Sequence, residues 1–312
     1  MTATYRVEHD TRYVYAFPVA TSQHIAYLRP RELPYQHVRL HQLQVTPAPA
    51  NGVQRTDYFG NTADQFHILR PHVELPVSTR SVVEVQDRTE VLEPGASPRW
   101  EEVCREISRR AGAIPPDVAQ FAQPSPYLPL APDMEEFARH SFPDGRTVLD
   151  GALDLMHRIH RGFTFDPSAT NVTTPVTRVL EERRGVCQDF AHLAISCLRS
   201  LGLAARYVSG YLLTDPPPGQ QRLVGADASH AWIGVHCPKH GWVDLDPTND
   251  VVVGRRHVTL AWGRDYGDVS PLRGVLLGGA EHKLYVGVSV VPMESVDEPL
   301  VSSESHEEHK DG

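Results

Sequence analysis

The chain has 312 residues, about two average domains by length, with 40% hydrophobic and 22% charged residues. This composition is ordinary for a globular protein, and it excludes collagen, wholesale disorder and a disulfide-stapled miniprotein. A net charge of −9 and a pI of about 6.0 argue against nucleic acid or an anionic membrane as a partner, because both require a basic face.

Roughly the first 90 residues are predicted to form β-strands. Apolar and polar side chains alternate along them, and turn-forming clusters rich in Pro, Gly and Asn separate them. Strands are expected over residues 5–17, 37–45, 65–69 and 81–85. Short strands divided by turns favour a sandwich or an open barrel, and the composition of residues 93–98 is typical of a linker.

The rest of the chain is predicted to mix helices with strands. Apolar residues recur with helical spacing over residues 100–110, 134–140, 147–160 and 176–183. A stronger helix follows over 186–201, between Gly185 and a C-terminal signal at Gly202. Strands are expected over residues 205–213, 231–236, 242–245, 257–262 and 282–291.

These patterns divide the chain into three predicted parts. A β-rich N-terminal domain covers residues 1–92, and a mixed core covers 100–293. The acidic, Ser-rich tail over 294–312 has no periodicity and is predicted to be disordered. A Pro-rich segment at 216–219 lies in an exposed loop between two core strands and is a candidate lid.

Four cysteines without any CxxC spacing predict reduced thiols in a reducing compartment: Cys104, Cys187, Cys197 and Cys237. The N-terminus lacks the basic and apolar segments of a signal peptide. No apolar run reaches the ~18 residues that a membrane span needs. We therefore expect a cytoplasmic protein.

Cys187 is the candidate nucleophile. It falls in the first turn of the predicted helix over 186–201, where unpaired backbone N–H groups and the helix dipole favour an anion. Such a position lowers the pKa of a thiol from its usual value of ~8.5. The same N–H groups suit an oxyanion, and Gly185 permits close approach of a substrate. A lone helical cysteine is more often a core residue, which is our interpretation of Cys197 and Cys104.

A nucleophilic thiol needs a base, and the base needs an orienting group. The candidate base is His230, at the start of a strand whose period of two places His230, Trp232 and Gly234 on one face. The candidate orienting group is Asp246, at the end of the next strand, and Asp244 is its rival. A tight turn over residues 239–241 would make the two strands an antiparallel hairpin.

Four ordered motifs resemble the bacterial transglutaminase-like cysteine enzymes of the transglutaminase-like superfamily. They are the segments RGVCQDFAHL (184–193), RYVSGY (206–211), SHAW (229–232) and WVDLDPTN (242–249). Further segments resemble the N-terminal β-region that precedes this core, namely HDTRYVY (9–15) and DYFGN (57–61). The resemblance covers about residues 1–291, and GRDYGDV (263–269) resembles the segment after the aspartate.

This resemblance implies an α+β fold. A papain-like core, with a cysteine-bearing helix packed on an antiparallel sheet, would follow an N-terminal β-sandwich-like region. It implies Cys187 as nucleophile, His230 as general base and then acid, and Asp246 as the group that fixes the tautomer of His230. The expected activity is thiol-dependent acyl transfer on a peptide or carboxamide bond, with a protein or peptide as substrate. Hydrolysis is favoured slightly over transamidation.

Two alternatives outside catalysis stay open. The β-region could recognise a peptide or a cell-wall fragment while the core is only structural, or the whole chain could be a scaffold. Both predict an inert Cys187. The Cys and His residues near Cys237 lack the paired spacing of a zinc site, and no EF-hand or phosphate-binding loop is present, so we expect no metal or cofactor. The sequence does not indicate an oligomeric state.

Overall fold

The computed structural model describes residues 2–89, 92–109, 114–214 and 229–293. The tail predicted over 294–312 and the candidate lid at 216–219 lie outside these ranges. Two antiparallel sheets, one short parallel pair of strands and a group of helices make up the described chain. None of its helices is both long and apolar enough to cross a bilayer.

Seven strands form the first sheet: β1 (Thr2–Ala26), β2 (Gln36–Val45), β3 (Asn51–Thr56), β4 (Thr62–Ile68), β5 (His72–Gln86), β13 (Leu272–Gly278) and β14 (His282–Met293). The 25-residue strand β1 is central. It pairs with β5 and β14 through its first half and with β4 and β13 through its second half. The predicted alternation of buried and exposed side chains is present at the beginning of β1, where Tyr5, Val7 and His9 are buried.

The last two strands of the chain complete this N-terminal sheet. Val290 of β14 lies opposite Val7 of β1, and Leu272 of β13 lies opposite Ala26. The sequence predicts a strand over 282–291 within the mixed core and no strand at β13. The pairing of these segments with β1 could not be predicted, because strand pairing between distant segments leaves no local signal. The bounds of the predicted domains stay a prediction.

Five strands form the second sheet, in the order β11-β10-β9-β8-β12 and antiparallel throughout: β8 (Ala205–Leu212), β9 (Ser229–Cys237), β10 (Gly241–Asp246), β11 (Val251–Val252) and β12 (His257–Gly263). The predicted hairpin is confirmed, since β9 and β10 pair with Cys237 opposite Gly241. Gly241 has a φ of 71°, a left-handed conformation that glycine adopts without strain.

Seven α-helices are described: α1 (Trp100–Ser108), α2 (Pro116–Ala119), α3 (Pro132–Arg139), α4 (Val148–Gly162), α5 (Val176–Glu182), α6 (Cys187–Ser200) and α7 (Tyr266–Val269). Helix α6 is the central one, because every residue from Asp189 to Arg199 is buried. It packs on β8 and β9 and against α3, α4 and α5. Small residues such as Ala191 and Ala194 permit this close approach. The predicted α+β class is confirmed.

A short parallel pair of strands leads into α6. β6 (Thr164–Phe165) pairs with β7 (Arg184–Gly185), and α6 begins two residues later. The pair therefore fixes the chain directly before Cys187.

Two buried amide side chains join the N-terminal region to the second sheet. Gln36 donates to the carbonyl oxygen of Thr259 and accepts from its N–H, both at 2.8 Å. Asn61 makes the same pair of hydrogen bonds with Trp262, at 2.8 and 2.9 Å. Both partners lie on β12, the edge strand of the second sheet. The amides thus satisfy backbone groups that an edge strand otherwise leaves unpaired.

We expect Gly210→Ala to destabilise the fold. A Cβ on Gly210 would lie 2.2 Å from the carbonyl oxygen of Val258 and 2.3 Å from the ring of Trp232, and overpacking of this kind costs about 1–3 kcal/mol. Urea unfolding measures the change in the free energy of unfolding. Gly95→Ala is the control, since nothing lies within 4 Å of its Cβ. Equal stability of the two variants would contradict the packing.

Candidate active site

Cys187 is the first residue of α6, and a buried carboxylate holds the chain there. Asp189 accepts hydrogen bonds from the backbone N–H of Val186 at 2.8 Å and from the Thr170 hydroxyl at 2.6 Å. Burial raises the pKa of Asp189. A Cβ on Gly185 would lie 2.7 Å from this carboxylate, so glycine is required there for packing. Cys187 therefore lies in the first turn of α6, where backbone N–H groups have no acceptor within the helix.

His230 lies between Cys187 and Asp246. Its Nε2 is 2.8 Å from Oδ2 of Asp246, and the Cys187 thiol lies near enough to the ring to raise its pKa. Since Nε2 faces the carboxylate, Nδ1 is the nitrogen left for the sulfur. The structure thus brings together the three residues that the sequence proposed for the site.

The environment of His230 favours its protonated form. Burial alone would lower the pKa, but the hydrogen bonds to Asp246 and Cys187, with their negative charges, raise it to about 10. The ring therefore carries a positive charge at neutral pH. A positive charge beside a thiol favours the thiolate, which is the nucleophilic form of cysteine.

Asp246 is fully buried and accepts several hydrogen bonds. Its Oδ1 accepts from the backbone N–H groups of Thr248 and Asn249, at 3.0 and 3.3 Å. Its Oδ2 accepts from His230, from the Asn249 amide at 2.7 Å and from His257 at 3.1 Å. Burial would raise the pKa of Asp246, but the hydrogen bonds from His230 and His257 and the positive charge of His230 hold it well below its usual range. The carboxylate is therefore ionised.

The rival residue Asp244 has other partners. Its Oδ2 accepts from Arg88 at 2.7 Å, and the Arg206 guanidinium lies 3.6 Å from its Oδ1. These two charges lower its pKa although the side chain is buried. Arg206 in turn lies between the rings of Trp242 and Trp262. Asp244 therefore belongs to a separate cluster of charges, and Asp246 is the carboxylate that meets His230.

The two cysteines interpreted as core residues have environments unlike that of Cys187. Cys197 is fully buried on α6, and burial raises its pKa to about 12. Burial and the charge of Glu101 raise the pKa of Cys104 to about 11. Both thiols are therefore protonated at neutral pH.

Three of the segments that resemble the family also carry an aromatic side chain with contacts inside the fold: His192, Trp232 and Trp242. His192 accepts from the backbone N–H of Tyr266 at 3.2 Å, and burial lowers its pKa to about 4. Trp232 lies beside His230, with ring centroids 6.1 Å apart. The Arg206 guanidinium lies over the Trp242 ring, and Phe121 meets that ring edge-on, so the contacts of Trp242 belong to the Asp244 cluster.

One group of side chains in the described ranges has the spacing of a metal site. The donor atoms of His230, Asp246 and His257 all lie within 4.8 Å of one another. Two of these residues are the proposed base and its orienting group, and hydrogen bonds among the three account for their closeness.

Sequence reasoning missed two residues that contact Asp246. Asn249 lies in the turn after β10, where the order Asp-Pro-Thr-Asn was a usable signal, since Asn and Asp side chains often bond nearby backbone in turns. His257 is eleven positions beyond Asp246, and the chain has 17 histidines. Nothing in the sequence distinguished His257 from the others.

Comparison with protein families matches both parts of the chain. Residues 5–84 match the bacterial transglutaminase-like N-terminal region, and residues 136–247 match the transglutaminase-like superfamily. An uncharacterized protein of Mycobacterium tuberculosis is 40% identical over 302 residues, which are 94% of each chain. A counterpart in Mycobacterium leprae is 35% identical over 91% of this chain and 97% of its own length.

Two further relatives carry more specific names. A protein-glutamine gamma-glutamyltransferase of Pseudomonas aeruginosa is 27% identical over 128 residues, 41% of this chain and 19% of that protein. A crystal structure from Cytophaga hutchinsonii, provisionally named a cysteine protease, superposes with a TM-score of 0.73 at 19% identity. The superposition covers 97% of this chain and 94% of the other, so the two share a fold. The family matches and the mycobacterial relatives together show that this chain belongs to the transglutaminase-like superfamily.

Proposed function

We propose that the protein is a thiol-dependent acyl-transfer enzyme that acts on peptide or carboxamide bonds. The observation that supports this most directly is that His230 is hydrogen-bonded to Asp246 and lies beside Cys187, the first residue of α6. A thiol, an imidazole and a carboxylate in this order can act as nucleophile, acid–base catalyst and orienting group. Membership of the superfamily agrees with a cysteine enzyme.

In the first half of the proposed reaction, the Cys187 sulfur attacks the carbonyl carbon of the substrate. Backbone N–H groups of the first turn of α6 stabilise the oxyanion. The C–N bond then breaks, and His230 gives its proton to the leaving nitrogen. A thioester and a free amine, or ammonia, are the products of this half.

In the second half, His230 removes a proton from the acceptor, which attacks the thioester and releases the thiolate. Water as acceptor gives a carboxylic acid, and a primary amine gives a new amide. Water competes for the thioester unless the site excludes it, so we favour a protease or amidase over a transglutaminase. We propose a protein or peptide as substrate and the cytoplasm as compartment, where the four unpaired cysteines would stay reduced.

A non-catalytic binding module is the second candidate function. Such a module would need the Cys187 site only for packing. The pairing of two buried amides with β12 agrees with either function, since it joins the N-terminal region firmly to the core. Thiol reactivity separates the two candidates.

We expect iodoacetamide to alkylate Cys187 much faster than the other cysteines at pH 7. Positive charge on His230 and the N-terminus of α6 both favour the thiolate, whereas burial keeps Cys197 protonated. Peptide mass spectrometry of short reaction times measures the rate at each site, and Cys187→Ser is the control for peptide assignment. Alkylation of Cys187 at the rate of Cys197 would favour the binding module.

His230→Ala should slow the alkylation of Cys187 at pH 7 by about tenfold or more and leave it close to wild type at pH 9. The variant removes the positive charge that His230 carries up to about pH 10, whereas thiols with an ordinary pKa of ~8.5 ionise unaided at the higher pH. His192→Ala is the control, because His192 is neutral and contacts Tyr266 instead. An unchanged rate at pH 7 would show that His230 does not act on the thiol.

Whether water or a primary amine accepts the acyl group is tested with a labelled glutamine-containing peptide, with and without a primary amine. We expect release of ammonia or cleavage of the peptide, and loss of both in Cys187→Ala. Mass spectrometry measures the products. Incorporation of the amine without hydrolysis would instead assign transamidation.

A further inference from the structure

A second histidine, besides His230, contacts the carboxylate of Asp246. His257 is the first residue of β12, only 4% exposed, and its Nε2 is 3.1 Å from Oδ2 of Asp246. The edge of the Trp232 ring packs on it, with centroids 5.2 Å apart and planes at 76°. Its other nitrogen, Nδ1, is buried and has no hydrogen-bond partner among the residues that the structure describes.

The protonation of His257 follows from its neighbours. Burial lowers its pKa more than the nearby carboxylate raises it, so the ring is neutral and carries one proton. An ionised carboxylate can only accept hydrogen bonds, so this proton lies on Nε2. His257 therefore donates a hydrogen bond to Asp246 and adds no charge.

This hydrogen bond restricts the rotation of the carboxylate. Backbone N–H groups of the turn hold Oδ1, and His257 and the Asn249 amide hold Oδ2, the oxygen that also faces His230. Rotation of the carboxylate would break several of these bonds at once. Among these donors, His257 comes from a distant strand of the same sheet. It lies on the edge strand β12, and β8 and β9 separate β12 from β10.

We propose that His257 is a positioning residue: it holds Asp246 in the orientation that directs His230 toward the Cys187 sulfur. The proposal rests on the proposed function. The proposal gives β12 an influence on the reactivity of the Cys187 thiol, although Cys187 lies on α6.

The test compares two substitutions of His257 by the alkylation rate of Cys187 at pH 7. His257→Phe keeps an aromatic ring but cannot donate, and we expect it to slow alkylation about tenfold, the order of one hydrogen bond to a charged group. His257→Gln places an amide nitrogen near the position of Nε2, and we expect it to stay within about twofold of wild type. Where a peptide substrate is turned over, kcat should fall in His257→Phe while KM stays unchanged.

His236→Phe and His236→Gln are the matched controls. His236 lies on β9 with a partly buried ring whose Nδ1 is also unpartnered, but it packs on Trp242, away from Asp246. Both control variants should alkylate like wild type. The melting temperature of each variant is measured beside its rate. If the alkylation rates of the two His257 variants follow their melting temperatures, and not their ability to donate a hydrogen bond, His257 has a structural role only.

A double-mutant cycle tests whether His257 acts through Asp246. In an Asp246→Ala background, His257→Phe should cause no further slowing, because the group it positions is gone. An equal slowing in both backgrounds would overturn the proposal, as would an unchanged rate in His257→Phe alone. If His257→Phe does not fold, His257→Asn replaces it, since its shorter amide does not reach Asp246.

The two proposals fail in different ways. If wild-type Cys187 is alkylated no faster than Cys197, the proposed function fails and the role of His257 fails with it. If wild-type Cys187 is reactive and His257→Phe equals wild type, only the role of His257 fails.

Discussion

The buried charge of Asp246 is the constraint on which the rest of the site depends. A carboxylate without exposure to water costs several kcal/mol unless hydrogen bonds and opposite charge compensate it. Here the compensation comes from the turn after β10, from His230 and from His257. These groups lie on β9, on β10 and its turn, and on β12. The charge can therefore be buried only when the second sheet is assembled.

This arrangement connects the N-terminal region to the chemistry. β12 is an edge strand, and its outer backbone groups are paired by Gln36 and Asn61. The same strand carries His257. The N-terminal region thus fixes the strand that supplies one donor to Asp246. In this structure the N-terminal region therefore completes the hydrogen bonding of the sheet that holds the site.

Two carboxylates on one strand have different roles because they meet different charges. Asp244 lies between the guanidinium groups of Arg88 and Arg206, whereas Asp246 lies between two imidazoles. The first arrangement is a buried ion-pair cluster with fixed charges. The second contains His230, an imidazole that Asp246 and Cys187 keep protonated at neutral pH and that has a proton to donate. Only the second can support acid–base chemistry.

Local patterns in the sequence determined most of the elements and the three proposed site residues. The helix that begins at Cys187, the strand with His230 and the hairpin that ends at Asp246 each follow from periodicity, turn residues and short motifs. These signals are local because backbone geometry and side-chain alternation act over a few residues.

Tertiary structure alone decided which distant groups meet. The pairing of β13 and β14 with β1, the donation from His257 to Asp246 and the assignment of Asp244 to Arg88 join residues 11 to more than 280 positions apart. No periodicity records such contacts, since they depend on how whole sheets pack and on which buried charges must be compensated. The sequence therefore determined which residue types are proposed for the site and the local structure around each, and the packing of the two sheets determined which groups they contact.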